Sequence, residues 1–388
     1  MALIIGVPRE TFGGERRVAL TPRACEALIK LKLEVVVESG AGLDAGFPDE
    51  EYSRRGVRLV SRSQVFQEAG VVVQARAPGA NPEHGHADLA QLRSGQILIG
   101  FGEPLTAIRE CAEIAERGVS FFAMEMVPRI TRAQAMDALS SMASVAGYEA
   151  VLIGAVTLPK LMPMMMTAAG TLTPAKVLVL GAGVAGLQAI ATARRLGAVV
   201  SAYDVRSAVR EQIESLGAKF VVLDIESAEG EGGYAKQMGE DYYRRQRELL
   251  GAVLREQDIV ITTAAVPGRK APILVTKEMA EAMQPGSVIV DLAAERGGNC
   301  ELTQAGQTVV HNGVTIVGPV NLASRAPYHA SQMYGTNVVN LLKLMVNKEG
   351  VLTINPEDEV IRGTLMTHGG KVVNSRVNEL LSTGVATA

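Results

Sequence analysis

The stretch from Lys176 to Asp204, KVLVLGAGVAGLQAIATARRLGAVVSAYD, constrains the fold of this chain more than any other. An apolar run enters a glycine cluster that opens a helix of small residues, and a second apolar run then reaches an acidic residue. This order predicts one βαβ unit. A pyrophosphate would sit on the N-terminus of its helix, where unpaired N–H groups and the positive end of the helix dipole point at it.

The residues Gly181, Gly183 and Gly186 have separate roles in this unit. The first permits the tight turn, the second lets the backbone approach a pyrophosphate, and the third lets helix and strand pack closely. Asp204 follows Gly186 by 18 residues, where a carboxylate can accept both ribose hydroxyls and repel a 2′-phosphate. The carboxylate at the end of the strand favours NAD. NADP stays open, because the nearby Arg206 could accept a 2′-phosphate. A glycine-tolerant βαβ turn without a ligand is the structural alternative.

Length and composition limit the class of protein. A chain of 388 residues exceeds what one hydrophobic core usually supports, so two domains are expected. The net charge of −3, with both signs interspersed, predicts no nucleic-acid partner and no polybasic membrane contact. Three well-separated cysteines argue against a disulfide framework and fit a reducing compartment. The N-terminus lacks a signal-peptide pattern, and prolines break the most apolar segment, residues 150–169, so no membrane span is expected.

Strand and helix patterns alternate along the rest of the chain. The main predicted elements are strands at 3–7, 33–38, 71–75, 97–101, 120–124, 220–223, 258–262, 287–292 and 315–317, and helices at 22–32, 106–117, 138–158 and 324–346. They predict an α/β fold of two Rossmann-like, doubly wound parallel-sheet domains joined by long helices, the first domain being discontinuous. The first domain would comprise residues 1–138 and 324–388, and the dinucleotide-binding domain residues 139–323.

A polar, glycine-rich insertion at residues 226–243 interrupts the second domain and places Tyr234 between Gly233 and Ala235. A disordered surface loop would account for the glycines alone. A mobile flap with glycine hinges, closing over bound ligand, would also account for a tyrosine in the middle of the loop. We expect the flap.

Few residues offer a reaction of their own. The five histidines match no metal-ligand spacing and are interpreted as structural, and no metal site is expected. A dinucleotide site without an acid, base or nucleophile constellation favours hydride transfer, in which the cofactor carries the reaction. Arg129 and Asp137 could clasp one another and hold a carboxamide, while Gln134 reaches outward. A capping segment, with Asp137 as N-cap of the helix that follows, explains the same spacing equally well.

Six motifs together resemble a known family. They are GVPRETFGGERRVALTP at 6–22, PRITRAQAMD at 128–137, VLGAGVAGLQAI at 179–190, YDVR at 203–206, GGYAKQM at 232–238 and TTAAVPG at 262–268. They resemble the NAD(H)-binding domain of proton-translocating nicotinamide nucleotide transhydrogenase, which is related in fold to alanine dehydrogenase. The first and third motifs are shared with alanine dehydrogenase, whereas the second and fifth are specific to transhydrogenases.

The resemblance implies roles for individual residues. Arg129 and Asp137 would hold the nicotinamide end of NAD(H), Gln134 would reach the NADP(H) of a partner domain, and Ser140 would help to bind the carboxamide. The remaining cofactor-binding residues would be Gly181, Gly183, Val184, Gly186, Asp204, Val205, Arg206, Gly233, Tyr234, Gln246 and Ala265.

The departures from the family separate its two branches. Alanine dehydrogenases bind the keto acid through a lysine on the strand matching 71–75 and use a histidine on the strand matching 97–101. This chain has Gln74 at the first position and no histidine in ILIGFGEP. Arg17 is retained, as structure, and Glu295 stands where the relative has an aspartate. An alanine-dehydrogenase-like amino-acid dehydrogenase is therefore disfavoured, and a non-catalytic NAD-sensing module is the other alternative.

The resemblance also implies an assembly. The chain would be a separately encoded NAD(H) subunit and a homodimer, docking onto subunits that carry the NADP(H)-binding domain and the membrane domain. It would be cytoplasmic and peripheral at the inner face of the cytoplasmic membrane through those partners, without inserting into the membrane. The implied reaction is direct hydride transfer between the C4 atoms of two stacked nicotinamides, coupled to proton translocation in the membrane partner.

Overall fold

The structure, a computed structural model, describes residues 2–223, 239–265 and 268–383. The chain divides into two compact units, one comprising residues 1–142 and 323–388 and the other residues 143–322. The predicted insertion at 226–243 lies mostly outside the described residues. From residue 240 onward it belongs to a helix and not to a loop.

The strands are β1 (Ile4–Val7), β2 (Glu34–Glu38), β3 (Arg58–Val60), β4 (Val71–Arg76), β5 (Ile97–Phe101), β6 (Ser120–Ala123), β7 (Met165–Thr167), β8 (Gly170–Leu172), β9 (Lys176–Leu180), β10 (Val199–Tyr203), β11 (Lys219–Phe220), β12 (Ile259–Thr262), β13 (Val288–Asp291), β14 (Thr308–His311), β15 (Val314–Val317), β16 (Leu365–His368) and β17 (Lys371–Val372). The α-helices are α1 (Pro22–Ile29), α2 (Asp49–Ser53), α3 (Arg62–Glu68), α4 (Gly85–Gln91), α5 (Ile108–Glu116), α6 (Ala138–Thr157), α7 (Val184–Arg195), α8 (Arg210–Ser215), α9 (Glu240–Leu254), α10 (Lys277–Glu281), α11 (Pro327–Met345), α12 (Glu359–Thr364) and α13 (Ser375–Ser382).

The first unit is built on a sheet of order β17-β16-β6-β5-β4-β1-β2-β3. The strands from β6 to β3 in this order are parallel, and β4 is almost entirely buried, as expected of a parallel strand covered on both faces. β16 and β17 come from the C-terminal segment and extend the sheet in antiparallel fashion. The sheet thus makes the first unit discontinuous in sequence.

The second unit is built on a sheet of order β11-β10-β9-β12-β13-β15-β14. Its six parallel strands, numbered by their appearance in the unit, run 3-2-1-4-5-6, and only β14 is antiparallel among those described. The strand order reverses between β9 and β12. In a doubly wound sheet this reversal opens a crevice at the carboxyl ends of the strands, where ligands bind. The two sheets confirm the predicted fold class.

Several element boundaries differ from the predictions for local reasons. α1 begins as predicted, with the Thr21 side chain accepting a hydrogen bond from the N–H of Ala24, but it ends at Ile29 before a turn in which Lys32 has φ of 65°. The predicted helix at 324–346 is a 3₁₀ turn followed by α11, which begins at Pro327. Proline suits the first position of a helix and disfavours helical backbone in the residue before it.

Helix α6 is, within the described part of the chain, the one helix long and apolar enough to cross a membrane by length and composition alone. Core helices of soluble proteins share these properties. Ala150 and Val151 of α6 are fully buried in the core of the second unit. A Cβ atom on Gly147 would lie 2.1 Å from the carbonyl oxygen of Ala185, so α6 also packs closely against the first turn of α7.

Candidate functional site

The turn between β9 and α7 gives each fingerprint glycine different surroundings. Gly181 has φ of +97°, a left-handed conformation that favours glycine. A Cβ atom on Gly186 would lie 1.9 Å from the carbonyl oxygen of Gly181, so the third glycine packs against the backbone of the first. At Gly183, by contrast, a Cβ atom would meet no described atom within 4 Å. The middle glycine therefore faces open space at the mouth of the turn.

The N-terminus of α7 is suited to binding an anion. Gly183 is the N-cap, and no side chain of the described residues caps the helix. The first N–H groups of such a helix lack intrahelical partners and carry the positive end of its dipole. Val184 at the first helical position is 39% exposed, so this end of the helix is open to solvent.

Asp204 lies after β10 and is buried among hydrogen-bond donors. Its Oδ2 accepts from the Ala182 N–H at 2.7 Å and from Nη2 of Arg206 at 2.8 Å, and its Oδ1 accepts from Nε of Arg206 at 2.9 Å. Burial raises the pKa of Asp204, but the hydrogen bonds from Arg206 and Ala182 outweigh it, and the net pKa is below its usual value. Asp204 is therefore an anion that ties the fingerprint turn to the end of β10.

Gln246 on α9 contacts Tyr203, the last residue of β10. Its Nε2 donates to the hydroxyl of Tyr203 at 2.9 Å, and the residue is only 1% exposed. Its Oε1 is buried and has no hydrogen-bond partner among the described residues. Val205 is half-buried beside Asp204. Gln246 thus offers an unused acceptor next to the end of β10.

Two residues that the sequence analysis missed fix the backbone around this crevice. Oγ1 of Thr263 donates to the carbonyl of Gly181 at 2.9 Å. Asn299 pairs with both backbone groups of Ala264, donating to its carbonyl at 2.8 Å and accepting from its N–H at 3.0 Å. The exposed Ala265 follows directly, so Asn299 holds the segment that carries a predicted cofactor contact. No sequence spacing indicates this pairing, because it joins positions 35 apart.

The segment 128–137 of the first unit forms a 3₁₀ helix from Thr131 to Met136. Ala133 is fully buried, whereas the Arg129 and Gln134 side chains are exposed. The segment therefore has an inward side that packs and an outward side that carries two of the three predicted catalytic residues.

Asp137 caps α6. Its Oδ1 accepts from the Ser140 N–H at 2.8 Å, and its Oδ2 accepts from the Ser140 hydroxyl at 2.6 Å. This is the capping arrangement that the sequence offered as an alternative to the clasp with Arg129. The cap places Asp137 and Ser140, both predicted to act on the carboxamide, in direct contact.

The predicted site residues fall into three groups. Arg129, Gln134, Asp137 and Ser140 belong to the first unit. Around the crevice of the second unit lie Gly181, Gly183, Val184, Gly186, Asp204, Val205, Arg206, Gln246 and Ala265. Gly233 and Tyr234 lie outside the described residues.

Arg17 and Gln74, the two positions compared above with alanine dehydrogenases, are both bound by acidic side chains of the first unit. The Arg17 guanidinium binds Glu15 through Nη2 at 2.6 Å and Nε at 2.8 Å, and both residues are buried. Burial raises the pKa of Glu15, but the charge of Arg17 outweighs this effect and lowers the pKa to about 2. Gln74 donates through Nε2 to Oδ2 of Asp88 at 2.7 Å. Neither side chain is presented to a small substrate.

Histidine and acidic side chains form no group of three or more that could hold a metal ion within the described ranges. His368 instead contacts the Ser120 hydroxyl through Nδ1 at 2.9 Å, and His311 contacts Glu281 through Nε2 at 2.5 Å. The candidate site among the described residues therefore consists of the crevice of the second unit and the segment 128–137 of the first unit.

Comparison with known proteins decides the family. Residues 6–146 match the family model described as "Alanine dehydrogenase/PNT, N-terminal domain", and residues 150–375 match "Alanine dehydrogenase/PNT, C-terminal domain". The chain belongs to the alanine dehydrogenase/PNT family. This assignment confirms the resemblance drawn from the sequence motifs.

Within the alanine dehydrogenase/PNT family the chain is more similar to the transhydrogenases. It is 46% identical over 375 residues to an NAD(P) transhydrogenase subunit alpha polypeptide of Rhodospirillum rubrum, covering 95% of this chain and 97% of that protein. The transhydrogenase structure from Sinorhizobium meliloti has a TM-score of 0.86 at 46% identity, covering 95% of this chain and 100% of that chain. An L-alanine dehydrogenase structure has a TM-score of 0.82 at 25% identity, covering 98% and 99%.

Proposed function

We propose that this chain is the NAD(H)-binding subunit of a proton-translocating transhydrogenase and that it exchanges hydride with NADP(H) held by a partner domain. One contrast within the first unit carries this proposal. Gln134 is exposed, whereas Arg17 and Gln74 are bound by Glu15 and Asp88. Among the described residues, the unit thus offers an exposed amide to an external partner, whereas Gln74, at the position of the keto-acid lysine of alanine dehydrogenases, is bound to Asp88.

NAD(H) would bind at the carboxyl ends of β9, β10 and β12. The open space at Gly183 and the uncapped N-terminus of α7 fit a pyrophosphate, and the Asp204 carboxylate fits the ribose hydroxyls. Because Arg206 is bound to that carboxylate, the site favours NAD over NADP. Val184, Val205, Gln246 and Ala265 complete the proposed site, together with Gly233 and Tyr234. We assign this role to the domain 139–323, the remainder forming the first domain.

The protein's contribution to the reaction is orientation. When bound, the dihydronicotinamide supplies a hydride that passes to the C4 atom of the partner's oxidised nicotinamide, so the step needs no acid or base from the chain. Arg129, Asp137 and Ser140 would hold the carboxamide and so fix the rotation of the ring. Gln134 would bridge to the partner's cofactor. Correct orientation of two reactants contributes roughly 7–11 kcal/mol in favourable cases, and we propose it as the main source of acceleration here.

The assembly follows from the same proposal. The chain would act as a homodimer and dock onto subunits that carry the NADP(H)-binding domain and the membrane domain. It would be cytoplasmic, held at the inner face of the cytoplasmic membrane by these partners, and proton translocation would take place in the membrane partner.

A reconstitution experiment tests the proposal. The chain is mixed with NADH, thionicotinamide-NADP⁺ and a purified NADP(H)-binding subunit, and formation of the reduced thionicotinamide is followed by absorbance. We expect hydride transfer only when the partner is present. Oxidation of NADH by pyruvate and ammonia without the partner would instead indicate an amino-acid dehydrogenase, and NADH binding with no turnover in either assay would indicate a sensing module.

Changing Gln134→Asn tests the role of the exposed glutamine. The shorter side chain withdraws the amide by one methylene, and displacements of about 1 Å at a reaction centre cost up to roughly 100-fold in rate. We expect the transfer rate to fall by about tenfold or more, with the NADH dissociation constant changed by less than about twofold. Gln284→Asn, at another exposed glutamine, is the matched control. A collapse of NADH affinity in Gln134→Asn would mean that its role is misassigned.

A further inference from the structure

The 3₁₀ segment from Thr131 to Met136 is unusual in its length. It contains six residues, whereas 3₁₀ helices longer than three or four residues are uncommon because their hydrogen bonds are poorly aligned. Such a segment keeps its conformation when contacts outside it hold the main chain. Here these contacts lie on both sides of Gln134 and come from helices of the C-terminal segment.

The first contact joins the segment to α12. The Arg132 guanidinium binds Asp358 through two hydrogen bonds, from Nη1 to Oδ2 at 2.7 Å and from Nη2 to Oδ1 at 3.0 Å. Asp358 is also the N-cap of α12, accepting from the Val360 N–H at 2.8 Å. Hydrogen bonds from Arg132 lower the pKa of Asp358 to about 2. The Asp358 carboxylate thus fixes both the start of α12 and Arg132, which precedes Gln134 by two residues.

A close backbone approach supports this contact. A Cβ atom on Gly363 of α12 would lie 3.2 Å from Cδ of Pro128, at the beginning of the loop. The loop therefore lies against α12 at Pro128 as well as at Arg132.

The second contact joins the segment to α11. The carbonyl oxygen of Ala135 accepts hydrogen bonds from Nδ2 of Asn337 at 3.0 Å and from Nδ2 of Asn340 at 3.1 Å. The two asparagines are three residues apart, so they lie on the same face of the helix. Asn337 is 5% exposed, which makes this a buried anchor for the residue directly after Gln134.

We propose that Arg132, Asp358, Asn337 and Asn340 are positioning residues that fix the main chain on both sides of Gln134 and thereby set its approach to the partner's cofactor. The Gln134 side chain is exposed, so its position depends on its backbone more than on packing of its own. Functional groups need this kind of support to be held within about 0.5 Å of a productive geometry. The inference rests on the function proposed above.

Amide hydrogen exchange tests the anchoring without any reaction. Asp358→Asn removes the charge partner of Arg132 but keeps a good N-cap residue, so α12 should still begin where it does. We expect the amides of residues 131–136 to exchange about five- to tenfold faster in this variant than in the parent chain. The control is Asp44→Asn, which breaks another surface pair, that of Arg9 and Asp44, 2.8 Å apart. Unchanged exchange in residues 131–136 would overturn the inference.

Hydride transfer with the NADP(H)-binding subunit tests the consequence. Asp358→Asn should lower the single-turnover rate by about three- to tenfold, while the NADH dissociation constant and the melting temperature stay close to those of the parent. Arg132→Lys should retain more of the rate than Arg132→Met, because lysine keeps the charge but loses the two-pronged geometry. A merely structural role would lower the melting temperature and NADH affinity together with the rate.

The outcomes separate the two proposals. Faster exchange with an unchanged transfer rate would overturn the positioning role and leave the proposed function standing. Absence of transfer by the parent chain with its partner would contradict the proposed function, and the exchange measurement would still decide whether the Arg132–Asp358 pair holds the segment.

Discussion

Gly183 and Gly186 are three residues apart and have opposite surroundings. A methyl group at Gly183 would extend into open space, and its φ of −75° is allowed to any residue. A methyl group at Gly186 would be driven into the carbonyl of Gly181. The two glycines can therefore be tested for separate contributions to binding and to stability.

Alanine at each position should give a different defect. We expect Gly183→Ala to keep its melting temperature and to weaken NADH binding by about tenfold, which is about 1.4 kcal/mol, because the methyl occupies the space assigned to the pyrophosphate. Gly186→Ala should lower the free energy of unfolding by about 1–3 kcal/mol through overpacking, and lose affinity as a result. Titration calorimetry and thermal melts of both variants provide the measurement. Equal loss of stability in both would refute the separation.

The site was predictable where chemistry is encoded locally and not where it depends on distant contacts. Gly181 and Asp204 follow from the spacing of one βαβ unit, because the turn and the strand end are built by neighbouring residues. Asn299 and Asp358 could not be predicted, since each acts on a backbone or side chain far away in sequence. For Asp137, spacing offered a clasp and a cap equally, and only the fold shows that the cap forms.

The hairpin of β7 and β8 is exposed along both of its strands. Met165 pairs with Leu172 across the hairpin, and these side chains are 43% and 47% exposed. Met164 and Met166 are 58% and 80% exposed. Four exposed apolar side chains on so short a hairpin favour an interaction surface. It is the surface that we assign to the proposed homodimer contact.

Charge on the hairpin should separate the protomers. We expect the parent chain to sediment as a dimer at micromolar concentration and the double variant Met165→Lys/Met166→Lys to sediment as a single chain of 41.0 kDa. The reason is that burying two ammonium groups costs several kcal/mol each. Val310→Lys, at a 68% exposed position on the edge strand β14, is the control. A double variant that remains dimeric would exclude the hairpin as the contact.

At the scale of elements, the parallel strands were predicted except the short β3, whereas the antiparallel strands were not predicted. Buried parallel strands such as β4 and β12 form apolar runs that stand out in the sequence. β14 and β16, with the sequences TVVH and LMTH, mix apolar and polar residues, and their pairing partners decide that they are strands. A C-terminal tail of mixed composition therefore completes the first sheet.

At the scale of the whole molecule, the first unit is notable for a buried carboxyl group, that of Glu10. The Glu10 side chain is partly exposed, but its carboxylate lies deep, accepting from the Ala75 N–H at 2.6 Å and the Arg76 N–H at 3.1 Å. Burial, with repulsion from Glu15, raises the pKa of Glu10 to about 8. The folded chain thus binds a proton that the unfolded chain releases near its ordinary pKa of 4.5.

This linkage predicts that the chain loses stability as the pH rises. The contribution of Glu10 is complete below the unfolded pKa of 4.5 and is lost as the pH rises through about 8. We expect Glu10→Gln, which mimics the neutral form, to melt close to the parent at pH 5 and at least about 2–4 °C above it at pH 8.5. Glu116→Gln, at an exposed position, controls for the substitution itself. Calorimetry showing the same difference at both pH values would contradict the linkage.

In the proposed homodimer, the exposed methionines of the β7–β8 hairpin would make the contact sensitive to oxidation. Thioethers at the surface are readily oxidised to sulfoxides, which are polar and disrupt methionine-rich contacts. In a dimer that covers the hairpin, Met164–Met166 would be shielded from peroxide, and in a dilute solution of single chains they would not. Oxidation would then act on the separated chains, hinder their return to the dimer and be reversed by methionine sulfoxide reductases.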